Sequence, residues 1–142
     1  MNNIEIKVTR TATVTPQMLE DLLVTAIEGG TGYWACLGER TDPPIDNLYK
    51  QWDDPDTKPW APHYISLPMS EGGNIQILDA ETTEDDEPEV LGDLNLPNLI
   101  KGLRLMAKEF PGDFQEFIDG DYDSNHADCF MQLAVMGEVV YG

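Results

Sequence analysis

The run HADCFMQLAVM, His126 to Met136, constrains this chain more than any other stretch. Wound as a helix, its apolar side chains fall on nearly every side, and such a helix is stable only when it is surrounded. It therefore predicts a central helix ended by Gly137, with the rest of the chain folded around it. A chain of 142 residues can supply one core of that kind. Its 41% hydrophobic content argues against wholesale disorder.

The segments around this helix read as a mixed fold. IEIKVTRTATVT, Ile4 to Thr15, alternates and is rich in β-branched residues, which predicts a first strand. Thr15 and Pro16 suit the N-cap and first position of a helix whose apolar stripe is Met18, Leu19, Leu22, Leu23, Ala26 and Ile27. Gly29-Gly30 is expected to end it. GYWACLG, Gly32 to Gly38, reads as a strand, and HYISLPMS and NIQILDAE flank Glu71-Gly72-Gly73 as a hairpin. Pro97 opens a helix capped near Asn95 or Leu96, with Leu99, Ile100, Leu103, Met106, Ala107 and Phe110 on one face and Pro111-Gly112 stopping it. A short helical turn follows around Phe114, Phe117 and Ile118, and EVVYG closes the chain as a strand.

The order β-α-β-β-β-α-α-β predicts an α+β fold. A single domain over 1–142 would hold a mostly antiparallel sheet with about three helices on one face. Two segments stand apart from this plan. Glu39 to Pro62 is a Pro/Trp-rich insertion whose Tyr49, Trp52 and Trp60 are expected to pack back on the body. Residues 81–93 form an acidic loop without a basic residue.

Charge excludes whole classes of partner. Only 8 Lys and Arg face 27 Asp and Glu, a formal net charge of -19. Each phosphate contact needs a basic group, so direct nucleic-acid binding and anionic membranes are excluded, and basic proteins or cations are favoured. No apolar run approaches the ~20 residues of a membrane span. MNNIEIKVTRT lacks the basic-then-apolar pattern of a signal peptide. Cys36 and Cys129, far apart in apolar surroundings, read as two buried reduced thiols, and the chain as cytoplasmic.

DGDYDSNHADC, Asp119 to Cys129, is the densest candidate for chemistry. As an EF-hand it begins well with Asp119, Asp121 and Asp123, but position 6 is Ser124 and position 12 is Phe130, where the loop needs Gly and Glu. As a zinc site it offers His126 and Cys129 three apart, with Cys36 and His63 as distant complements and no second close pair. As a helix entrance it offers Asn125 for the N-cap with Asp128 at N3. No nucleotide-binding, hydrolase or zinc-protease motif is present, so neither a cofactor, a metal nor a catalytic residue is expected.

The surplus carboxylates remain as the functional signal. A folded chain of this size exposes about 7,000 Å², or one net negative charge per ~400 Å², against one per ~100 Å² on duplex DNA. Imitation of DNA therefore requires clustering. The sequence clusters are Asp53, Asp54 and Asp56; the run Glu81 to Glu89 with Glu84, Asp85, Asp86 and Glu87; and Asp119 to Asp123 with Asp121 and Asp123. Trp52 and Trp60 would supply apolar anchors among them.

VTAIEGGTGYW (Val24–Trp34) and ADCFMQLAVMGEVVYG (Ala127–Gly142) resemble segments of a functionally uncharacterised family of small proteins encoded by tailed bacteriophages and prophages. The resemblance covers about a fifth of the chain and leaves out both acidic inserts. It implies a phage accessory protein acting inside a bacterial cell, similar in role to anti-restriction or anti-CRISPR inhibitors. The expected function is then non-enzymatic: an acidic inhibitor that binds a basic nucleic-acid-binding defence enzyme of the host. The rival expectations are a phage structural protein forming a homo-oligomer, and a module that holds a small molecule in a cleft near GGTGYWAC.

Overall fold

The computed structural model describes residues 2–49, 63–82 and 86–142. The fold is α+β, with five α-helices and a three-stranded antiparallel sheet among the described residues. Helix α1 (Pro16–Thr25) leads through a π turn (Ala26–Gly30) into strand β1 (Ala35–Thr41). Helix α2 (His63–Met69) precedes strands β2 (Asn74–Asp79) and β3 (Val90–Leu94), and α3 (Leu96–Glu109), α4 (Pro111–Ile118) and α5 (Ser124–Met136) follow. Strand β2 lies in the middle, pairing Cys36 with Leu78 on one side and Ile75 with Leu94 on the other.

Helix α5 is the centre that its sequence requires. Ala127, Phe130, Met131, Leu133 and Ala134 are all fully buried. At about 1.5–3 kcal/mol for each fully buried large side chain, this one helix carries a large share of the hydrophobic drive. Helix α3 crosses it where Gly102 meets Ala134. A Cβ on Gly102 would lie 2.8 Å from the Ala134 Cβ, closer than carbon atoms approach. Ile75 and Ile77 of β2 complete the core with Leu22, Leu23, Trp34, Leu67, Leu94, Leu99, Met106 and Phe117.

The caps follow the sequence closely. Thr15 accepts a hydrogen bond from the Met18 N–H, with Pro16 at the first helical position. Asn95 accepts from the Asn98 N–H at 3.0 Å and starts α3. Gly137, with φ of 79°, ends α5 in the left-handed conformation that glycine adopts without a Cβ clash.

Several elements differ from the sequence reading. Residues 2–15 form no strand among the described residues, and Ile4, Ile6 and Val8 are exposed: alternation supplies a pattern but no edge to pair with. His63–Met69 is helical because Ser66, Leu67, Met69 and Ser70 are buried together and the Ser70 hydroxyl donates to the Ser66 carbonyl at 2.5 Å. The Glu71–Gly73 turn therefore joins a helix to β2, and the hairpin is β2–β3. Glu138–Gly142 is not a strand either. The Gln132 side chain takes the place of a partner strand, its Oε1 accepting from the Val140 and Tyr141 N–H groups at 2.8 Å each.

Boundaries move as well. Glu39–Thr41 completes β1, beyond a bulge after Leu37, and Val90–Leu94, expected as loop, is β3. Gly30 serves close approach instead of a left-handed turn, since a Cβ there would lie 2.7 Å from the Ser124 carbonyl oxygen.

Candidate functional site

The expected acidic site is only partly within the described residues. Trp52, Asp53, Asp54, Asp56, Trp60, Glu84 and Asp85 lie outside them. Asp86 and Glu87 are exposed in the β2–β3 connection, and Asp121 and Asp123 are exposed between α4 and α5. Each pair comes from one short segment of the chain, Asp86 and Glu87 side by side and Asp121 and Asp123 on either side of Tyr122. Asp86 lines a shallow cavity of about 280 Å³ with Cys36, Leu78, Asp79, Ala80, Thr82 and Pro88.

The fold gathers carboxylates from separate segments instead. The charges of Asp79 from the end of β2, and of Glu81 and Glu89 from the connection after it, all act on Tyr141. Burial and then these three charges raise the Tyr141 pKa. Tyr141 in turn stacks on Trp34, ring centroids 5.5 Å apart and planes 14° from parallel.

Trp34 also belongs to a hub centred on Asp128. Its carboxylate accepts from the Trp34 indole N–H at 2.7 Å, the Tyr33 hydroxyl at 2.6 Å and the Gln132 amide at 3.1 Å. The hydrogen bond to Asp128, helped by burial and by the Asp128 charge, pushes the Tyr33 pKa up to about 12. Gln132, almost fully buried, also donates to the Tyr141 carbonyl and so holds the C-terminal segment against Trp34. Val24–Trp34 and Ala127–Gly142, the two segments that carry the sequence resemblance, meet at this hub.

A second group forms where α4 meets α5. Asp123, not Asn125, is the N-cap of α5; its Oδ1 accepts from the Asn125 and His126 N–H groups. Asp128, expected at N3 of that cap, points to Trp34. The His126 ring faces Asp123 through Nδ1 at 2.9 Å and Glu116 through Nε2 at 2.9 Å, with Asp113 at 3.8 Å. Burial disfavours the imidazolium, but the hydrogen bonds to Asp123 and Glu116 and the charges of Asp123 and Asp113 outweigh it, so the His126 pKa is raised. The hydrogen bond to His126 and two backbone N–H groups lower that of Asp123.

The thiols play no part in such a group. Cys36 is exposed, contrary to the expected burial, and Cys129 is half-buried. Burial, then the charges of Asp113, Asp128 and Glu109, raises the Cys129 pKa to about 11, which keeps it protonated and a poor nucleophile or ligand. Near Gly32 a cavity of about 270 Å³ is lined by Ile27, Thr31, Ala35, Leu37, Ile77 and Met131. It lies below the usual size of small-molecule sites, about 300–1,000 Å³.

No helix among the described residues is long and apolar enough to cross a membrane. Comparison with protein-family models, with curated proteins and with solved structures finds no match.

Proposed function

We propose that the protein is a non-enzymatic, acidic binding protein of phage origin that occupies the basic groove of a bacterial nucleic-acid-binding protein, with a defence enzyme as the class of target. The observation that carries this reading is the partition of charge. Residues 59–100 hold nine carboxylates and residues 109–142 hold eight, and neither span contains a Lys or Arg. Lys101, Arg104 and Lys108 between them are confined to α3. The carboxylates around Tyr141 and around His126 come from these two spans.

Mechanistically, carboxylates set on a folded surface take the place of phosphates against Lys and Arg of the target, and DNA is displaced by competition. Exposed Tyr33 and the half-buried edge of Tyr141 offer aromatic contact beside the charges. The test is affinity capture from bacterial lysate, washed at low and then high salt, with bound proteins challenged by duplex DNA. A nucleic-acid-binding protein released by both salt and DNA supports the reading; binding indifferent to both refutes it.

Self-assembly is the second reading, and the N-terminal arm favours it. Ile4, Ile6 and Val8 alternate along an exposed segment that joins no strand among the described residues, each about 70–80% accessible, with the composition of an added strand. Light scattering after size exclusion separates the two: a monomer removes self-assembly.

A further inference from the structure

Three side chains from two helices converge at the α4–α5 junction. Asp113 and Glu116 stand three apart on α4 and so share one side of it. His126, in the first turn of α5, faces them. Its Nε2 lies 2.9 Å from Glu116 Oε2 and 3.8 Å from Asp113 Oδ1, and all three donor atoms fall within 4.8 Å of one another. Around a tetrahedral ion with bonds of about 2.0–2.1 Å, neighbouring ligand atoms stand about 3.3 Å apart. The two separations from the imidazole bracket that value.

The other ring nitrogen is already engaged. With its proton on Nδ1 the neutral ring donates to Asp123 Oδ1 at 2.9 Å, the Asp123 backbone nitrogen lying 3.2 Å from the same Nδ1, and Asp123 is itself fixed as the N-cap of α5. A carboxylate in that position sets the ring orientation and makes the opposite nitrogen a better donor, as the outer partners of metal-bound histidines do. The His126 side chain is only 15% exposed, whereas Asp113 and Glu116 are 45% and 53% exposed. The ring is held, and the remaining side of the cluster opens to solvent.

We infer that Asp113, Glu116 and His126 form a binding site for one divalent transition-metal ion of the zinc class, with three protein ligands and one open position. Magnesium and calcium take oxygen-only ligand sets, while an imidazole selects zinc and its neighbours in the first transition row. The net charge of -19 attracts every divalent cation to the surface, so discrimination has to come from His126. The ion would join α4 to α5, whichever reading of the acidic surface holds.

The test is calorimetric titration of chelator-treated protein with zinc chloride in millimolar magnesium. One zinc per chain is expected, and His126→Ala and Glu116→Gln should each weaken binding at least about tenfold. Asp123→Asn retains a good N-cap residue but removes the carboxylate from Nδ1, and should weaken zinc by about 10–100-fold. Asp121→Asn should leave the affinity unchanged. Thermal melts of each variant by circular dichroism separate a lost ligand from a lost fold, and Glu116, exposed, can be changed without disturbing the core. No stoichiometric zinc, zinc displaced by magnesium, or full affinity in both His126→Ala and Glu116→Gln would overturn the site.

Discussion

Asp128 and Trp34, 94 residues apart in sequence, are joined by a hydrogen bond of 2.7 Å from the indole N–H to Oδ1. Trp34 is fully buried, so this donor has no access to water as an alternative. The same carboxylate takes the Tyr33 hydroxyl, which makes one side chain responsible for fastening the start of β1 to the central helix.

Asp128→Ala should therefore be costly. It strands a buried indole N–H and removes charge-assisted bonds to Tyr33 and Gln132, a loss of about 2–4 kcal/mol in unfolding free energy. Asp128→Asn keeps one acceptor oxygen and should lose about half as much. Urea unfolding followed by circular dichroism measures both; equal stability of Asp128→Ala and wild type would remove the hub from the account.

Alkaline pH should loosen the same contact. Tyr33 has its pKa raised from 10.0 to about 12 in the folded protein, so its neutral form is favoured by folding. Its contribution is fully present below the unfolded value and is lost as pH rises through the folded one. Because Tyr33 is half exposed, solvent screens the effect and its size stays small. Tyrosinate absorbance of wild type minus Tyr33→Phe should titrate well above pH 10; a midpoint near 10 would contradict the Asp128 bond.

The crossing of α3 and α5 makes a steric prediction. Gly102→Ala gains about 1 kcal/mol of helix propensity, yet its new Cβ falls 2.8 Å from that of Ala134. Overpacking of this kind costs about 1–3 kcal/mol. A net loss of stability is expected, deepening in Gly102→Val. A thermal melt of Gly102→Ala above wild type would show that the helices separate freely.

Local chemistry was legible where it was self-contained. Thr15-Pro16, Asn95 ahead of Pro97, and Gly137 mark helix ends through contacts within a few residues, and each does so in the fold. The entrance to α5 shows where that stops. Asn125 with Asp128 has the spacing of a cap, but Asp128 is drawn to Trp34, and the cap falls to Asp123. The closing segment EVVYG has strand composition, but a buried glutamine satisfies its backbone. The acidic clusters visible in the sequence are contiguous, whereas the groups around Tyr141 and His126 include residues 10 or more positions apart. Only the antiparallel sheet and the α4–α5 junction bring those together.

Charge reversal tests the proposed function most directly. Asp86 and Glu87 are exposed on the β2–β3 connection, so Asp86→Lys with Glu87→Lys should leave the core untouched. If these carboxylates stand against Lys and Arg of a target, the pair of reversals costs about 1–3 kcal/mol of binding at low ionic strength. Screening over a Debye length of about 10 Å at 0.1 M salt should shrink that difference as salt rises. Lys101→Glu, exposed on α3, replaces a positive charge with a negative one and should leave binding equal or stronger. Binding of the captured target, measured by calorimetry across a salt series, reads all three. A double reversal that binds as tightly as wild type at low salt would take the β2–β3 carboxylates out of the interface, and a target affinity flat in salt would end the charge-based reading altogether.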